Sequence, residues 1–274
     1  MTGSALERLL GRDRAIVAAA LGVITALAWL YVLRLAADMD MGGMPMGGMR
    51  MTSTGLRMVM APADEPWSGA EFLLMFVMWV VMMVGMMTPS VAPLVLLYAQ
   101  VGRRAVLDRK PFAATACFAG GYLFTWTIFA LAATTAQWAL ERVSLLTPEM
   151  ASASATLGGV VLAAAGLYQW SPWKDGCLRQ CQSPLGFLQH HGGFRRDAPG
   201  AFRLGAEHGL YCLGCCWALM ALLFVGGIMN VTWIAAIAVL VLIEKITPAG
   251  RAIGRIGGIA LLAAGVWLVA GRFI

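Results

Sequence analysis

Charge is scarce in this chain: Asp, Glu, Lys and Arg together make up 12% of its 274 residues. A soluble domain carries roughly twice that share, so a surface wetted on all sides is excluded. Histidine is scarcer still, with three residues, and cysteine stops at six. No nucleotide-binding motif is present, which excludes work driven directly by ATP on this chain. A cleavable leader is also missing. The first apolar segment is too long for a signal h-region and lacks a small-residue cleavage site, so it reads as a retained helix. The net charge of +6 comes without any nucleic-acid module. In so apolar a chain basic residues set membrane orientation first, and no nucleic-acid partner is expected.

What is present is apolar surface. Hydrophobic residues make up 60% of the chain, with 32 glycines among the rest. Such surface needs lipid around it, and glycine lets membrane helices approach closely. Stretches long enough to span about 20 apolar residues fall at 14–36, 70–101, 112–137, 152–170, 204–229, 231–243 and 256–271. The sixth is short. The expected fold is therefore all-α, a polytopic membrane helix bundle of about seven transmembrane helices. Its organisation reads as an N-terminal helix at 1–37, an external Met-rich loop at 38–69, and a six-helix membrane domain at 70–274. Fifteen of the 20 basic residues fall on one side of that arrangement, including Arg103, Arg104, Arg195, Arg196 and Arg251. The bias predicts a cytoplasmic N-terminus in a bacterial-type plasma membrane.

Three constellations carry possible chemistry. In the external loop Met39, Met41, Met44, Met46, Met49 and Met51 place six thioethers in 13 residues, spaced by glycine. Thioether is a soft ligand that selects Cu(I) over hard ions; the bland alternative is an adaptable apolar linker. In the second span Met75, Met78, Met82 and Met86 follow helical spacing, with Met83 and Met87 beside them. They read either as a pathway for a soft ion or as ordinary core packing. That span then meets Thr88-Pro89-Ser90 and Pro93. Proline frees an upstream carbonyl, and within a membrane such a break survives only where protein or water satisfies it.

The third constellation gathers five cysteines and all three histidines within 40 residues. Cys177 and Cys181 are expected in the loop between the fourth and fifth spans, and Cys212, Cys215 and Cys216 near the start of the fifth. His190, His191 and His208 lie in the same region. The spacings put thiols one helical turn apart. At the cytoplasmic face, metal binding or redox activity is favoured over structural disulfides. A position at a helix start would also lower the thiol pKa. Cys117 stands apart as a small buried residue. Glu244 and Lys245 are expected to pair at the inner interface, as anchors rather than as a site.

The order of these motifs resembles the DUF2182 family of predicted metal-binding integral membrane proteins. The resemblance rests on Met78-Trp79-Val80-Val81-Met82-Met83-Val84-Gly85-Met86-Met87-Thr88-Pro89-Ser90, on Tyr168-Gln169 with Lys174, Cys177, Cys181 and Pro184, and on Cys212, Gly214-Cys215-Cys216-Trp217, Met229-Asn230 and Glu244-Lys245. It covers roughly residues 64–250 and implies metal binding by these Cys and Met positions. The combined expectation is a membrane protein that handles a soft metal, copper above all, by transport or by delivery to a metallochaperone or copper enzyme. Zinc remains open for the Cys/His region. Two rivals stand beside it: a thiol–disulfide membrane enzyme, and a non-catalytic subunit of a larger membrane complex.

Overall fold

The computed structural model describes residues 3–39, 49–62, 65–105, 112–147, 150–195 and 197–271. Ten helices and one hairpin occupy them. The long helices are α1 (Gly3–Met39), α2 (Gly69–Ala105), α3 (Phe112–Arg142), α7 (Ala198–Ala221) and α10 (Gly250–Ala270). Between them lie α4 (Ala155–Tyr168), α5 (Pro172–Gln182), α6 (Pro184–His190), α8 (Leu223–Gly226) and α9 (Val231–Ile246). Each of the five long helices contains a stretch long and apolar enough to cross a membrane. The other two expected spans coincide with α4, of 14 residues, and α9, of 16 residues. At about 1.5 Å per residue these reach roughly 21 and 24 Å, short of the ~30 Å hydrocarbon layer.

Local chemistry places the boundaries of the short helices. Ser171 accepts a hydrogen bond from the Lys174 amide, and Pro172 occupies the first turn of α5. Asp197 does the same for the Gly200 amide at the start of α7, ahead of Pro199. Asn230, in the turn before α9, caps that helix by accepting from the Trp233 amide. Side-chain oxygens satisfy amides that a helix start leaves open, and proline fits there because its missing N–H is not needed.

The expected external loop is partly folded. β1 (Met49–Ser53) pairs antiparallel with β2 (Met58–Pro62), with Met51 opposite Met60. The turn closes through Gly55 at φ +93°, a left-handed conformation that glycine adopts freely. Arg50 of β1 forms an ion pair with Glu71 of α2 at 2.7 Å, and the Met58 amide donates to Asp38 of α1. The hairpin is thereby tied to both helices. It buries Met51 and Met58 and leaves Met49 and Met60 exposed.

Glycine sets how closely the helices pack. A Cβ on Gly205 of α7 would fall 1.9 Å from the Phe118 carbonyl oxygen of α3. One on Gly121 of α3 would fall 1.9 Å from the Phe202 carbonyl oxygen of α7. The two backbones therefore touch directly, as small-residue stripes permit in membrane bundles. α4 and α10 repeat the arrangement at Gly166 and Gly258. Gly205→Ala is expected to destabilise the protein by about 1–3 kcal/mol, the usual cost of overpacking. Gly257→Ala, whose Cβ meets nothing within 4 Å, is expected to be harmless. Thermal unfolding in detergent checks the pair; equal melting of Gly205→Ala and wild type would contradict the direct backbone contact.

Candidate metal centre

Cys212, Cys215 and Cys216 do not sit at a helix start. α7 begins at Ala198, so Cys212 lies fourteen residues in, about 21 Å along the axis. The dipole argument for an activated thiol at a helix N-terminus is therefore overturned, since that field fades within the first turn. The reason is Asp197-Ala198-Pro199, which starts the helix earlier than apolar character alone suggests. Cys177 and Cys181 are likewise helical rather than in a loop, one turn apart on α5. Cys117, on α3, is only partly buried.

Two helices, α5 and α7, bring the thiols together. The Cys181 side chain on α5 faces those of Cys212 and Cys215 on α7. The Cys215 and Cys216 thiols each donate back to the Cys212 carbonyl at 3.0 Å. Cys177 packs close against Gly214, where a Cβ would meet its sulfur at 2.7 Å. Interaction with the Cys212 and Cys215 thiols, with burial adding to it, pushes the Cys181 thiol well above its ordinary pKa. Burial chiefly, and the neighbouring Cys215, raise Cys177. All six cysteines are free of disulfides.

Sequence reasoning missed the groups that surround Cys212. Its sulfur lies 2.9 Å from the Tyr122 hydroxyl of α3 and 2.8 Å from Lys245 Nζ of α9. Lys245 also donates to the Ser90 hydroxyl of α2 at 3.3 Å. Tyr122 donates to the Met87 carbonyl at 3.3 Å. The proline-containing turn of α2 therefore borders the sulfur cluster. Pro89 offers no amide to the Gly85 carbonyl four residues upstream; the Trp29 indole of α1 donates there instead, at 3.2 Å. Thr88, one residue before that proline, keeps a buried hydroxyl without a partner.

The methionines of α2 face inward without exception. Met75, Met78, Met82, Met83, Met86 and Met87 are all buried, and they share one continuous core with Met51, Met58 and the three α7 cysteines. From Met75 to Met87 the stripe runs about 18 Å along the helix. Met39, the last residue of α1, packs partly against the same core. Met41, Met44 and Met46 lie outside the described residues.

The histidines separate. His190 is exposed and held to the Gly186 carbonyl. His191 bonds to the Phe187 carbonyl and stacks on the Phe187 ring. Neither meets the sulfurs. His208 is different: it sits one turn before Cys212 on α7, buried among Phe118, Tyr122 and Phe187, with Nδ1 unpartnered. Leaving such a nitrogen unsatisfied costs about 1–3 kcal/mol. Among the described residues no three His, Cys, Asp or Glu side chains form a group that could hold a metal ion.

Glu244 and Lys245 do not pair with each other, and neither is an interfacial anchor. Glu244 is 1% exposed and Lys245 is 5% exposed. Consecutive residues on a helix point about 100° apart, and the two side chains enter different networks. Glu244 binds Lys174 of α5 at 2.6 Å, and Lys174 donates in turn to Gln169. Gln182 closes the corner by donating to the Glu244 and Thr247 carbonyls. Removing one member of a buried ion pair strands the other charge, a loss of about 3–5 kcal/mol. Lys174→Ala is expected to lower the melting temperature markedly, and Lys174→Met with Glu244→Leu to restore most of it. A double variant no better than the single would show that Lys174 matters for something other than Glu244.

The chain was also compared with known proteins. No curated protein and no solved structure matches it. The family PpoB2, described as a copper chaperone, matches residues 76–268, which span the methionine stripe from Met78 onward, the cysteine helices and the buried lysines. That stretch is well over half of the 274 residues, and the chain belongs to this copper-chaperone family.

Proposed function

We propose that the chain binds Cu(I) within the membrane and hands it on to a metallochaperone or copper enzyme. The outer Met-rich segment collects the ion, the α2 stripe holds it in passage, and a pair of thiols drawn from Cys181, Cys212, Cys215 and Cys216 binds it at the inner end. One observation carries this reading. The Tyr122 hydroxyl touches both the end of the methionine stripe, at the Met87 carbonyl, and the Cys212 sulfur. The last residue of the methionine stripe and the first of the α7 cysteines, far apart in sequence, thus meet at one hydroxyl.

The donor chemistry fits the cargo. Sulfur and imidazole suit Cu(I), whereas a hard cation takes carboxylate and carbonyl oxygens. Cu(I) is satisfied by two sulfurs. Zinc takes a tetrahedral shell of four ligands, and among the described residues no three His, Cys, Asp or Glu side chains are grouped to supply one. Copper therefore fits better than zinc. The unpartnered nitrogen of His208 is a further donor near Cys212 for an ion in transit.

The orientation that accounts best for the basic residues has the N-terminus in the cytoplasm of a bacterial-type cell, with the five long helices in its plasma membrane and the two shorter ones, α4 and α9, packed among them. The methionines then face the oxidising side, where thioethers hold no titrating proton, and the cysteines face the reducing side.

Metal analysis of protein purified under reducing conditions with copper supplementation tests the reading. Wild type is expected to carry Cu(I). Changing Cys181, Cys212, Cys215 and Cys216 to Ser should lower its affinity by an order of magnitude or more. Changing Met75, Met78, Met82 and Met86 to Leu should slow loading while leaving the bound amount intact. A wild type free of copper sinks the proposal. Trapping of a mixed disulfide at Cys212, with negligible metal, would favour thiol–disulfide exchange instead.

A further inference from the structure

We infer that Lys245 determines the charge of the ion that the sulfur centre accepts, selecting a monovalent soft cation over a divalent one. This rests on the reading of the cysteines as a Cu(I) site. Lys245 Nζ lies 2.8 Å from Cys212 Sγ and 3.9 Å from Cys216 Sγ. Its other contact is the neutral hydroxyl of Ser90 at 3.3 Å. The adjacent carboxylate, Glu244, is engaged by Lys174 at 2.6 Å, so that pair is neutral as a unit. Lys245 is left as one fixed positive charge facing the sulfurs in a region sealed from water.

The charge balance then decides between ions. Metal-bound cysteines are thiolates, because binding displaces the thiol proton. Two thiolates and Cu(I) sum to −1, and the Lys245 ammonium brings the buried assembly to zero. Two thiolates and a divalent ion sum to zero, and the same ammonium leaves +1 with nothing to compensate it. A net charge in a poorly solvated interior is costly. With an effective dielectric of ~20 and roughly 5–6 Å between the ammonium and the centre of the metal–sulfur unit, one unit of charge alters affinity by about a hundredfold. Softness cannot supply this discrimination, since soft ions exist in both charge states. Lys245 is thus a specificity-determining residue acting through charge rather than coordination.

The test uses the full chain in detergent under reducing conditions, with Ag(I) as a redox-stable monovalent probe and Cd(II) as a soft divalent one. Wild type is expected to prefer Ag(I). Lys245→Gln should lower the ratio of Ag(I) to Cd(II) affinity by about a hundredfold, and Lys245→Arg, which keeps the charge, should retain it. Lys245→Leu provides a second neutral variant if Lys245→Gln aggregates. Equal wild-type affinities for the two ions would overturn the inference without any variant. So would an unchanged ratio in the neutral variants, leaving the Cu(I) reading intact. A wild type that binds neither ion overturns that reading itself.

Discussion

Two ammonium groups, Lys174 and Lys245, are buried in a bundle that has almost no water to offer them, and the inner half of the fold is arranged around their needs. A desolvated charge must find partners or be excluded. Lys174 finds Glu244 and Gln169, and in doing so ties α5 to α9 and to the end of α4. Lys245 finds Cys212 and Ser90, and ties α9 to α7 and α2. Neither could be buried this way unless the helices came close. Gly254 shows the requirement: a Cβ there would meet Glu244 Oε1 at 3.0 Å and Lys174 Nζ at 3.4 Å. Absence of a side chain on α10 makes room for a charge pair between its neighbours.

The parts of this fold that were legible in the sequence depend on composition and period. Long apolar runs identify the five long helices, because the bilayer imposes a minimum length that few soluble helices meet. The methionine face of α2 follows from helical spacing, and its burial agrees with an interior stripe. The C-x3-C and C-x2-C-C spacings likewise put thiols on one side of each helix, but that α5 and α7 lie against each other does not follow from spacing.

What escaped is tertiary. Lys245 reads from the sequence as one half of a Glu-Lys pair at a helix end, because adjacent opposite charges invite that pairing. Backbone geometry forbids it, and the true partners stand 33 and 155 residues away. Lys174 sits in a short polar helix that carries no membrane signal, yet it is among the most buried groups in the chain. Tyr122 had no distinguishing context at all. A signal was available for the lysines: in a chain this poor in charge, any Lys or Glu near an apolar run is expensive, and expense points to function. The hairpin was missed for a different reason. A Gly-Met composition suggests a flexible linker, while its order comes from Arg50–Glu71 and the Asp38 contact, long-range bonds that no local pattern announces.

Within the proposed reading, the two kinds of sulfur have different electrostatic duties. A thioether carries no charge, so Cu(I) held by methionines alone remains a cation in a low-dielectric interior and is bound weakly enough to move. A thiolate pair reverses the sign, and the Lys245 ammonium then returns the sum to zero, making the cysteine end the place where the ion rests. The gradient from methionine to cysteine is thus one of charge compensation as well as of ligand strength. It also explains why the lysine lies at the inner end. Beside the methionine stripe it would repel the ion it is meant to admit; beside Cys212 it donates to the sulfur of the empty site at 2.8 Å and becomes the counterion of the filled one.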